Sequence, residues 1–430
     1  MQRRMGVARS ARAVLAGAAL AVGTLVVGCA SAAGEQPPSA NGIGPITFAV
    51  GSDDIQSWLS PVIQRWDRMH PDQDVTALYL PQVANVQLDQ LVANLQAKSS
   101  VYDVIDMDVV WTAEFAANGW ILPLPANQFP LDQFFPNAVK TAKYQGRLYA
   151  VPDYSNADLL YYRKDILAKA HQQPPKTWAQ LEYLAKTVAP KYGLDGYAGT
   201  FAQYEGLTVN VAEAVQSAGG SILNPAGTRV TLDTPQALDG LTFLVQGFRQ
   251  GWIPQAALKY EEVSAQDAFK SGRFLFLNDW PDVYAALGPD AAAKYGIPVA
   301  LPGPSTLGGA NLAISAYSQH QQTALHFIQY LTQEQQQVTM LEQGSFPPVL
   351  QSLYHAPALT AQFPYLPTLY QAIESAQPRP AITNYDQASL VISSEAYQAL
   401  EGNKTPQSAL ADMQKELTQI IGDGLTTTGS

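Results

Sequence analysis

Short apolar runs alternate with segments of helical periodicity along this chain, beginning near residue 46. The runs "ITFAVG" and "DVTALYLP" have the composition of buried strands, and each is followed by a segment with apolar residues at helical spacing. The same order of elements starts again after Tyr154, from "DLLYYRKDIL" to "GRFLFLNDWPDVYAAL". This alternation predicts an α/β fold with largely parallel sheets, in which ligands lie beyond the carboxyl ends of the strands.

The amino-terminal 28 residues contain four arginines and no acid before an apolar run that ends in "VVGC". This pattern is typical of a secretory signal peptide. Cys29 is the only cysteine of the chain, and its context resembles the lipidation motif of bacterial lipoproteins. We therefore expect a lipoprotein signal peptide at residues 1–28, lipidation of Cys29 and a flexible tether at residues 29–45, which would anchor the protein to the outer face of the cell membrane. An incidental cysteine after an ordinary signal peptide is the alternative.

The mature chain is long, at roughly 385 folded residues, and this length suits two domains. Its formal charge is −11, which becomes −15 when the four arginines of the signal peptide are removed. An acidic chain without basic clusters is a poor candidate for binding nucleic acid. The five histidines show no metal-ligand spacing, and a single cysteine excludes internal disulfides, so no metal or other cofactor is predicted.

Residues 103–120, "DVIDMDVVWTAEFAANGW", place the acids Asp106 and Asp108 in an otherwise apolar strand. Because residues two apart on a strand face the same side, the two carboxylates are predicted to lie side by side, with Trp111 near the strand end. Acidic or amide side chains beside aromatic residues recur at other predicted strand or loop ends. These are Asp53, Asp54 and Trp58; Tyr154 and Asn156; Tyr204 and Glu205; Asp279 and Trp280.

Such pairs match the surface of a sugar, which presents hydroxyl groups at its edges and C–H groups on its faces. Charged and amide side chains bind the hydroxyls, and aromatic rings cover the faces. Helix capping by the acids and core packing by the tryptophans would explain any single pair equally well. Their recurrence in one chain favours a sugar-binding cleft.

An ordered set of motifs also resembles one known family. The motifs are "FAVGSDD", "LVANLQAKSS", "DVIDMDVVWTAEFAANGW", "LYAVPDYSNADLLYYRKDIL", "QYEGL", "LNDWPDVY", "LGGANLAIS" and "PRPAITNY". Together they resemble the trehalose/maltose-binding proteins of ABC importers, a subgroup of the maltose-binding-protein class of extracellular solute-binding proteins. A mycobacterial trehalose-recycling lipoprotein is similar too, notably at "DVVWTAEFA".

The resemblance implies an α/β, two-lobe periplasmic-binding-protein fold with hinge crossings and a central cleft. It places lobe one at about residues 43–153 and 311–355, and lobe two at residues 154–310 and 356–425. A ligand that contacts both lobes would stabilise the closed state by hinge bending. The implied partners are a disaccharide, with trehalose first, and the transmembrane subunits of an ABC permease. The protein would act as a monomer and not as an enzyme.

The resemblance also assigns the ligand-binding residues, with Trp280 as a stacking platform, glycines that present N–H groups and an arginine that forks onto hydroxyls. The assigned residues are Asp54, Asp108, Tyr154, Asn156, Trp280, Gly308, Gly309 and Arg379. The secondary candidates are Asp53, Gln87, Trp111, Tyr204, Glu205, Asp279 and Asn311. Gln87 and Ala310 stand where archaeal relatives have an arginine and a tryptophan, and Asp106 occupies a position that is apolar in the relatives. The choice between trehalose and a related glucose disaccharide such as maltose therefore stays open.

Two other classes of function remain at this point. A secreted glycoside hydrolase would also use two carboxylates in an aromatic cleft, and the candidates are Asp108 with Asp54, or Asp279 with Glu205. A lipoprotein that binds a wall polymer or a protein partner would instead need an exposed apolar patch.

Overall fold

The structure is a computed structural model that describes residues 42–52, 56–288 and 293–425. The predicted signal peptide, the lipidation site Cys29, most of the predicted tether, and the candidates Asp53 and Asp54 lie outside the described residues. Within the described ranges, no helix combines the length and the hydropathy that crossing a membrane requires.

Strands and helices alternate through most of the chain. The strands are β1 (Ile46–Gly51), β2 (Val75–Leu80), β3 (Val104–Asp108), β4 (Lys143–Tyr144), β5 (Arg147–Leu148), β6 (Ala150–Ala157), β7 (Leu159–Tyr162), β8 (Asp195–Ala198), β9 (Phe274–Asp279), β10 (Val299–Ala300) and β11 (Leu307–Ile314). The helices are α1 (Gln56–Met69), α2 (Ala84–Gln96), α3 (Thr112–Ala117), α4 (Pro136–Thr141), α5 (Lys164–Lys169), α6 (Trp178–Thr187), α7 (Glu205–Ser217), α8 (Pro235–Gln250), α9 (Glu262–Lys270), α10 (Val283–Ala286), α11 (Gln321–Leu331), α12 (Glu334–Gly344), α13 (Pro357–Gln362), α14 (Leu366–Ser375), α15 (Tyr385–Leu400) and α16 (Pro406–Leu425).

The segment "TWAQLEYLAKTVAPKYG", which contains helix α6, shows how local sequence sets these boundaries. Helix α6 begins after Thr177, whose hydroxyl accepts the backbone N–H of Gln180 at 3.2 Å and so caps the first turn. A short 3-10 turn at Ala189–Tyr192 extends the segment to Gly193, where φ is +71°. Glycine adopts this left-handed conformation without the steric cost that a side chain would add, so the chain turns there into β8.

Two sheets organise the fold. The first has the strand order β2-β1-β3-β11-β6, and the second has the order β10-β7-β9-β8. Parallel pairing is confined to β2, β1 and β3 in the first sheet and to β8 with β9 in the second. The prediction of largely parallel sheets is therefore wrong. The antiparallel pairs are β11 with β3 and β6 in the first sheet, and β7 with β9 and β10 in the second.

The chain passes between the two sheets at two short connections, which gives the predicted two-lobe α/β arrangement. β6 belongs to the first sheet and β7 to the second, so the chain crosses at Asp158. It returns between β10 and β11. The lobe boundaries predicted at residues 153/154 and 310/311 fall inside β6 and β11, and this detailed division of the chain stays a prediction.

One apolar core lies beside the first sheet and also includes residues of the second, such as Leu159 and Phe274, while the other core includes residues of the second sheet such as Leu160 and Phe276. Beside the first sheet, Phe48 packs edge-to-face on Phe327 with ring centroids 5.6 Å apart. Beside the second, Phe201 packs edge-to-face on Phe248 at 5.3 Å. Such aromatic pairs contribute about 0.5–1.5 kcal/mol each beyond the burial of their area.

A buried polar network holds the crossings against the second sheet. The Glu213 carboxylate on α7 accepts hydrogen bonds from the Asn278 amide at 2.7 Å, the Ser305 hydroxyl at 2.9 Å and the Thr306 backbone N–H at 3.0 Å. Asp158, at the other crossing, lies beside it, and burial together with the charge of Glu213 raises the pKa of Asp158 well above its ordinary value. The Glu213 side chain thus connects helix α7 and strand β9 to the crossings at Asp158 and at residues 301–306.

We predict that Glu213→Ala lowers the free energy of unfolding by about 2–4 kcal/mol, because it leaves three buried donors unpaired. The matched control is Glu182→Ala, which removes an exposed carboxylate that pairs with Lys186 one helical turn away, at an expected loss of about 0.3–0.5 kcal/mol. Urea unfolding followed by circular dichroism measures both. Equal losses in the two variants would contradict the role of Glu213.

Candidate functional site

A cavity of about 750 Å³ lies where the carboxyl ends of β1 and β3 meet strands β6 and β11 and helices α7 and α9. Its lining residues come from both sheets and their helices, so the cavity occupies the cleft between the lobes. Its volume falls within the range of about 300–1,000 Å³ that is usual for small-molecule sites.

The structure brings most of the predicted residues together around this cavity. Those that line it are Asp108, Tyr154, Asn156, Trp280, Gly308, Gly309 and Arg379, together with the secondary candidates Gln87 and Glu205. Asp53 and Asp54 lie outside the described residues. The remaining candidates, Trp111, Tyr204, Asp279 and Asn311, are buried behind the wall and do not line the cavity.

Asp106 and Asp108 both line the cavity, as the strand periodicity of the sequence predicts. They lie on β3 opposite Leu312 and Ala310 of β11. The central position of β3, between β1 and β11, holds the two carboxylates in place. Trp111 does not join them, because the chain turns into helix α3 there and its ring packs on Phe115 in the core, with centroids 6.2 Å apart.

Arg379 joins the two sides of the cleft. Its guanidinium donates to both carboxylate oxygens of Asp108, at 2.8 and 3.3 Å, and also to the carboxylate of Glu205 on α7. Only 4% of the Arg379 surface is exposed. The predicted fork of the arginine therefore exists, but in this structure it binds two carboxylates of the protein. Asp108, Arg379 and Glu205 form an ion bridge across the cleft, and we refer to these three residues as the Arg379 bridge.

The backbone around Arg379 is held at the return crossing. Gln377 donates its N–H to the Ser305 carbonyl at 3.0 Å, and its carbonyl accepts the Leu307 N–H at 2.9 Å. The flanking Pro378 and Pro380 restrict φ on either side of the arginine. The backbone next to Arg379 is therefore hydrogen-bonded to the return crossing between β10 and β11.

Glu205 is the first residue of helix α7. Its backbone N–H donates to the Asn85 side chain of α2 at 2.9 Å, and its carboxylate accepts hydrogen bonds from the hydroxyls of Tyr385, at 2.6 Å, and Ser389. Burial raises the pKa of Glu205, and the positive charge of Arg379 opposes that rise.

Trp280 follows strand β9, and its backbone is fixed on both sides. Its N–H donates to the Asp279 carboxylate at 2.8 Å, and its carbonyl accepts the Tyr161 hydroxyl at 2.8 Å. Asp279 therefore holds the tryptophan from behind and does not face the cavity. The Trp280 ring lies against Gly308, where an added Cβ would come within 2.6 Å of the ring. The glycine leaves room for the ring to lie flat along β11.

Gly309 has a different steric requirement. Its φ is +114°, and a Cβ there would lie 2.3 Å from the Tyr154 carbonyl oxygen. Both Gly308 and Gly309 lie inside strand β11 and pair with β6, opposite Asn156 and Ser155. The close approach of β6 and β11, rather than a turn, requires glycine here.

Two other candidates have structural partners. Tyr204 packs over Gly206, where an added Cβ would lie 2.3 Å from the phenol oxygen. The buried Asn311 amide donates to the hydroxyls of Thr112 and Thr141, both at 3.1 Å. These contacts fix α3, α4 and α7 behind the wall of the cavity.

Sequence reasoning missed many residues of the wall, among them Glu262, Gln266, Asp282 and Phe346. Glu262 and Gln266 are one turn apart on α9, and the Gln266 amide donates to Asp282 at 2.8 Å. Burial raises the pKa of Glu262 to about 7. The acid in "WPD", two residues after Trp280, was an available signal for Asp282, whereas "KYEEV" is the usual composition of a helix start.

The described residues contain no group of three or more histidine, cysteine, aspartate or glutamate side chains placed to hold a metal ion.

We predict that Arg379→Ala lowers the free energy of unfolding by about 3–5 kcal/mol, because it leaves the buried Glu205 carboxylate without its cation. Arg273→Ala is the matched control, since it breaks an exposed pair with Asp195 that is expected to contribute about 0–1 kcal/mol. Urea unfolding measures both. Similar small losses would show that the Arg379 bridge does not hold the lobes.

The sequence of this chain is similar to those of known solute-binding proteins. Residues 51–338 match the family of bacterial extracellular solute-binding proteins. A probable ABC transporter-binding protein of Deinococcus radiodurans is 32% identical over 370 residues, which covers 81% of this chain and 87% of that protein. A mannitol-binding protein of Pseudomonas aeruginosa is 28% identical over 166 residues, 37% of each chain.

Among solved structures, maltose-bound MalE3 of T. maritima is similar, with a TM-score of 0.82 and 30% identity, covering 87% of this chain and 99% of MalE3. An ABC transporter solute-binding protein of Thermotoga lettingae bound with α-D-tagatose shows the same fold, with a TM-score of 0.80 and 24% identity. The match covers 88% of this chain and 100% of that protein. These relatives are binding proteins. From the two-lobe fold, the cleft and the match over residues 51–338, this chain belongs to the bacterial extracellular solute-binding proteins.

Proposed function

We propose that this protein captures a disaccharide in the cleft and delivers it to the permease of an ABC importer, with trehalose as the first candidate and maltose as the second. The observation that supports this most strongly is the composition of the cavity wall. An aromatic platform, Trp280, and the polar Arg379 bridge line the same space of about 750 Å³. A sugar ring needs both surfaces, one for its C–H face and one for its hydroxyls.

The Arg379 bridge provides hydroxyl-binding groups from both lobes. The bidentate contact with Asp108 fixes the guanidinium, and the Nε–H of Arg379 has no acceptor among the described residues. Because that nitrogen is buried, the groups of the bridge that a ligand hydroxyl can reach are the carboxylates that line the cavity. A ligand bound there contacts both lobes at once, so its binding energy favours closure about the crossings at Asp158 and at residues 301–306.

The wall also supports a ligand larger than one ring. Phe346 and Tyr154 form an edge-to-face pair with centroids 4.9 Å apart, and both line the cavity on the side of β6 and α12. MalE3, which is similar over most of this chain, was solved with maltose bound. Trehalose is placed first because of the sequence motifs, with Gln87 and Ala310 as the departures that bear on the choice.

Delivery requires a tether to the membrane next to the permease. Lipidation of Cys29, followed by a flexible segment up to about residue 45, would supply it. The closed form with sugar bound would then be the state that the permease subunits recognise.

The hydrolase alternative finds little support in the placement of its carboxylates. Asp279 is 1% exposed and binds the backbone of Trp280, while Asp108 and Glu205 are both paired with Arg379. A general acid needs a carboxyl group that can reach the glycosidic oxygen and donate a proton.

Isothermal titration calorimetry of residues 30–430 against trehalose, maltose, sucrose, kojibiose, glucose and mannitol tests the proposal. We expect micromolar or tighter binding of one disaccharide and much weaker binding of glucose. A response to mannitol alone would replace the disaccharide with a polyol, and silence across the series would contradict sugar capture.

Trp280→Ala is expected to weaken binding of the preferred disaccharide at least about tenfold, because the sugar loses its stacking surface. The control is Trp178→Ala, which removes a tryptophan that packs on Phe243 outside the cleft. The same titration measures both variants, with circular dichroism to verify folding. Unchanged affinity in folded Trp280→Ala would show that the platform is elsewhere.

A further inference from the structure

Helices α7 and α15 begin without a capping side chain of their own. The residues that precede them, Tyr204 and Asn384, make no side-chain hydrogen bond to the first turn. The first N–H groups of a helix have no partner within the helix, so they need an acceptor from elsewhere. In this structure the acceptors come from two helices on the other side of the cleft, α2 and α3.

Asn85 and Glu114 supply these acceptors. The side-chain oxygen of Asn85 on α2 accepts the N–H of Glu205, the first residue of α7, at 2.9 Å. The carboxylate of Glu114 on α3 accepts the N–H of Asp386, in the first turn of α15, at 3.5 Å. The helix dipole also favours a carboxylate at this end of a helix. We refer to Asn85 and Glu114 as the trans caps.

The trans caps and the helices that they cap pack in different cores. Leu88 of α2 and Phe115 of α3 lie in the apolar core beside the first sheet. Leu207 of α7 and Ile392 of α15 lie in the core that includes Leu160 and other residues of the second sheet. Each trans cap is therefore a contact between the lobes and not within one of them.

The lobes touch directly where the trans caps lie. A cavity of only about 10 Å³ remains among the residues that meet there, which include Asn85, Trp111, Glu205, Tyr385 and Ser389. A cavity needs about 10–15 Å³ to hold one water molecule, so this space is at the lower limit for a single water. The helix ends are thus capped by protein groups in close contact.

The trans caps also lie far from the crossings. In the first sheet the crossing strands β6 and β11 are on one side, and β2, which leads into α2, is the opposite edge. With neighbouring strands about 4.8 Å apart, β2 lies about 14 Å from β11. On α7, Glu205 is about two turns, or about 12 Å, from Glu213, which is bonded to the crossings. Rotation about the crossings therefore separates Asn85 from Glu205.

We propose that Asn85 and Glu114 are positioning residues for ligand capture, which hold the cleft closed by capping α7 and α15 across the lobes. Opening leaves the first N–H groups of both helices without these caps, and closing restores them. The trans caps therefore stabilise the closed state without touching the sugar. The consequence for binding rests on the proposed function, since a more stable closed state retains the sugar longer.

A distance between two spin labels tests the trans caps without a ligand. Residues 30–430 contain no cysteine, so Val86→Cys on α2 and Leu390→Cys on α15, two half-exposed positions, give unique labelling sites. Double electron–electron resonance measures their separation in the unliganded protein and with maltose or trehalose. We expect a short-distance population, and we expect Asn85→Ala and Glu114→Ala each to lower the ratio of short to long distances at least about threefold.

Two control variants distinguish a contact between lobes from ordinary helix stabilisation. Thr177→Ala removes the cap of α6, which comes from the residue next to that helix, so it should reduce stability and leave the label distances unchanged. Glu114→Gln keeps an oxygen that can accept the Asp386 N–H and should retain most of the short-distance population. Unchanged distances in folded Asn85→Ala and Glu114→Ala, both without and with sugar, would overturn the inference.

Binding kinetics provide a second readout. Stopped-flow fluorescence with maltose and trehalose should show dissociation at least about threefold faster in Asn85→Ala and Glu114→Ala, with association little changed, because the trans caps form on closure. Dissociation rates equal to those of the unsubstituted protein would contradict the role of the trans caps and leave sugar capture intact. Label distances that respond to both substitutions in a protein that binds neither sugar would support the trans caps and count against the proposed function.

Discussion

The ion bridge between Arg379, Asp108 and Glu205 is the interaction on which the cleft depends. A buried guanidinium is tolerated only when carboxylates and hydrogen bonds replace its lost water, and here two carboxylates from different parts of the fold do so. Asp108 ends the central strand β3 of the first sheet, and Glu205 begins helix α7, which packs beside the second sheet. The relative position of these two elements is therefore constrained at one point inside the cleft.

The mounting of the arginine connects this constraint to the hinge. Gln377 pairs with the backbone at Ser305 and Leu307, and Ser305 and Thr306 also donate to Glu213. The chain crossing, the arginine and helix α7 thus form one connected set of hydrogen bonds. Under the proposed function, a ligand that competes for the carboxylates of the bridge would act directly on this connected segment, which would couple binding to closure.

The sequence predicted the parts of this site that depend on local periodicity. Asp106 and Asp108 line the cavity because side chains alternate along a strand, and the acidic end of a buried strand is visible in the sequence. Trp280 and Asp279 were found together, but the sequence could not show that the acid faces inward to hold the tryptophan's backbone. Trp111 is part of the core because α3 begins immediately after it, which a strand pattern does not reveal. Asp53 and Asp54 remain predictions, since they lie outside the described residues.

Features set by tertiary contacts were out of reach of the sequence. The partners of Arg379 are 271 and 174 residues away along the chain, and no local pattern pairs them. The contact between Gln266 and Asp282 arises where α9 faces the segment after β9. The antiparallel pairing of β11 with β3 and β6, and of β7 with β9 and β10, is a property of topology rather than of composition.

A crystal structure of residues 30–430 with the tightest-binding disaccharide would test the central claim most directly. We predict one sugar ring over Trp280 and hydroxyls bonded to the groups of the Arg379 bridge, so that the ligand contacts both lobes. A sugar held by one lobe alone, or outside this cavity, would contradict capture by closure of the cleft.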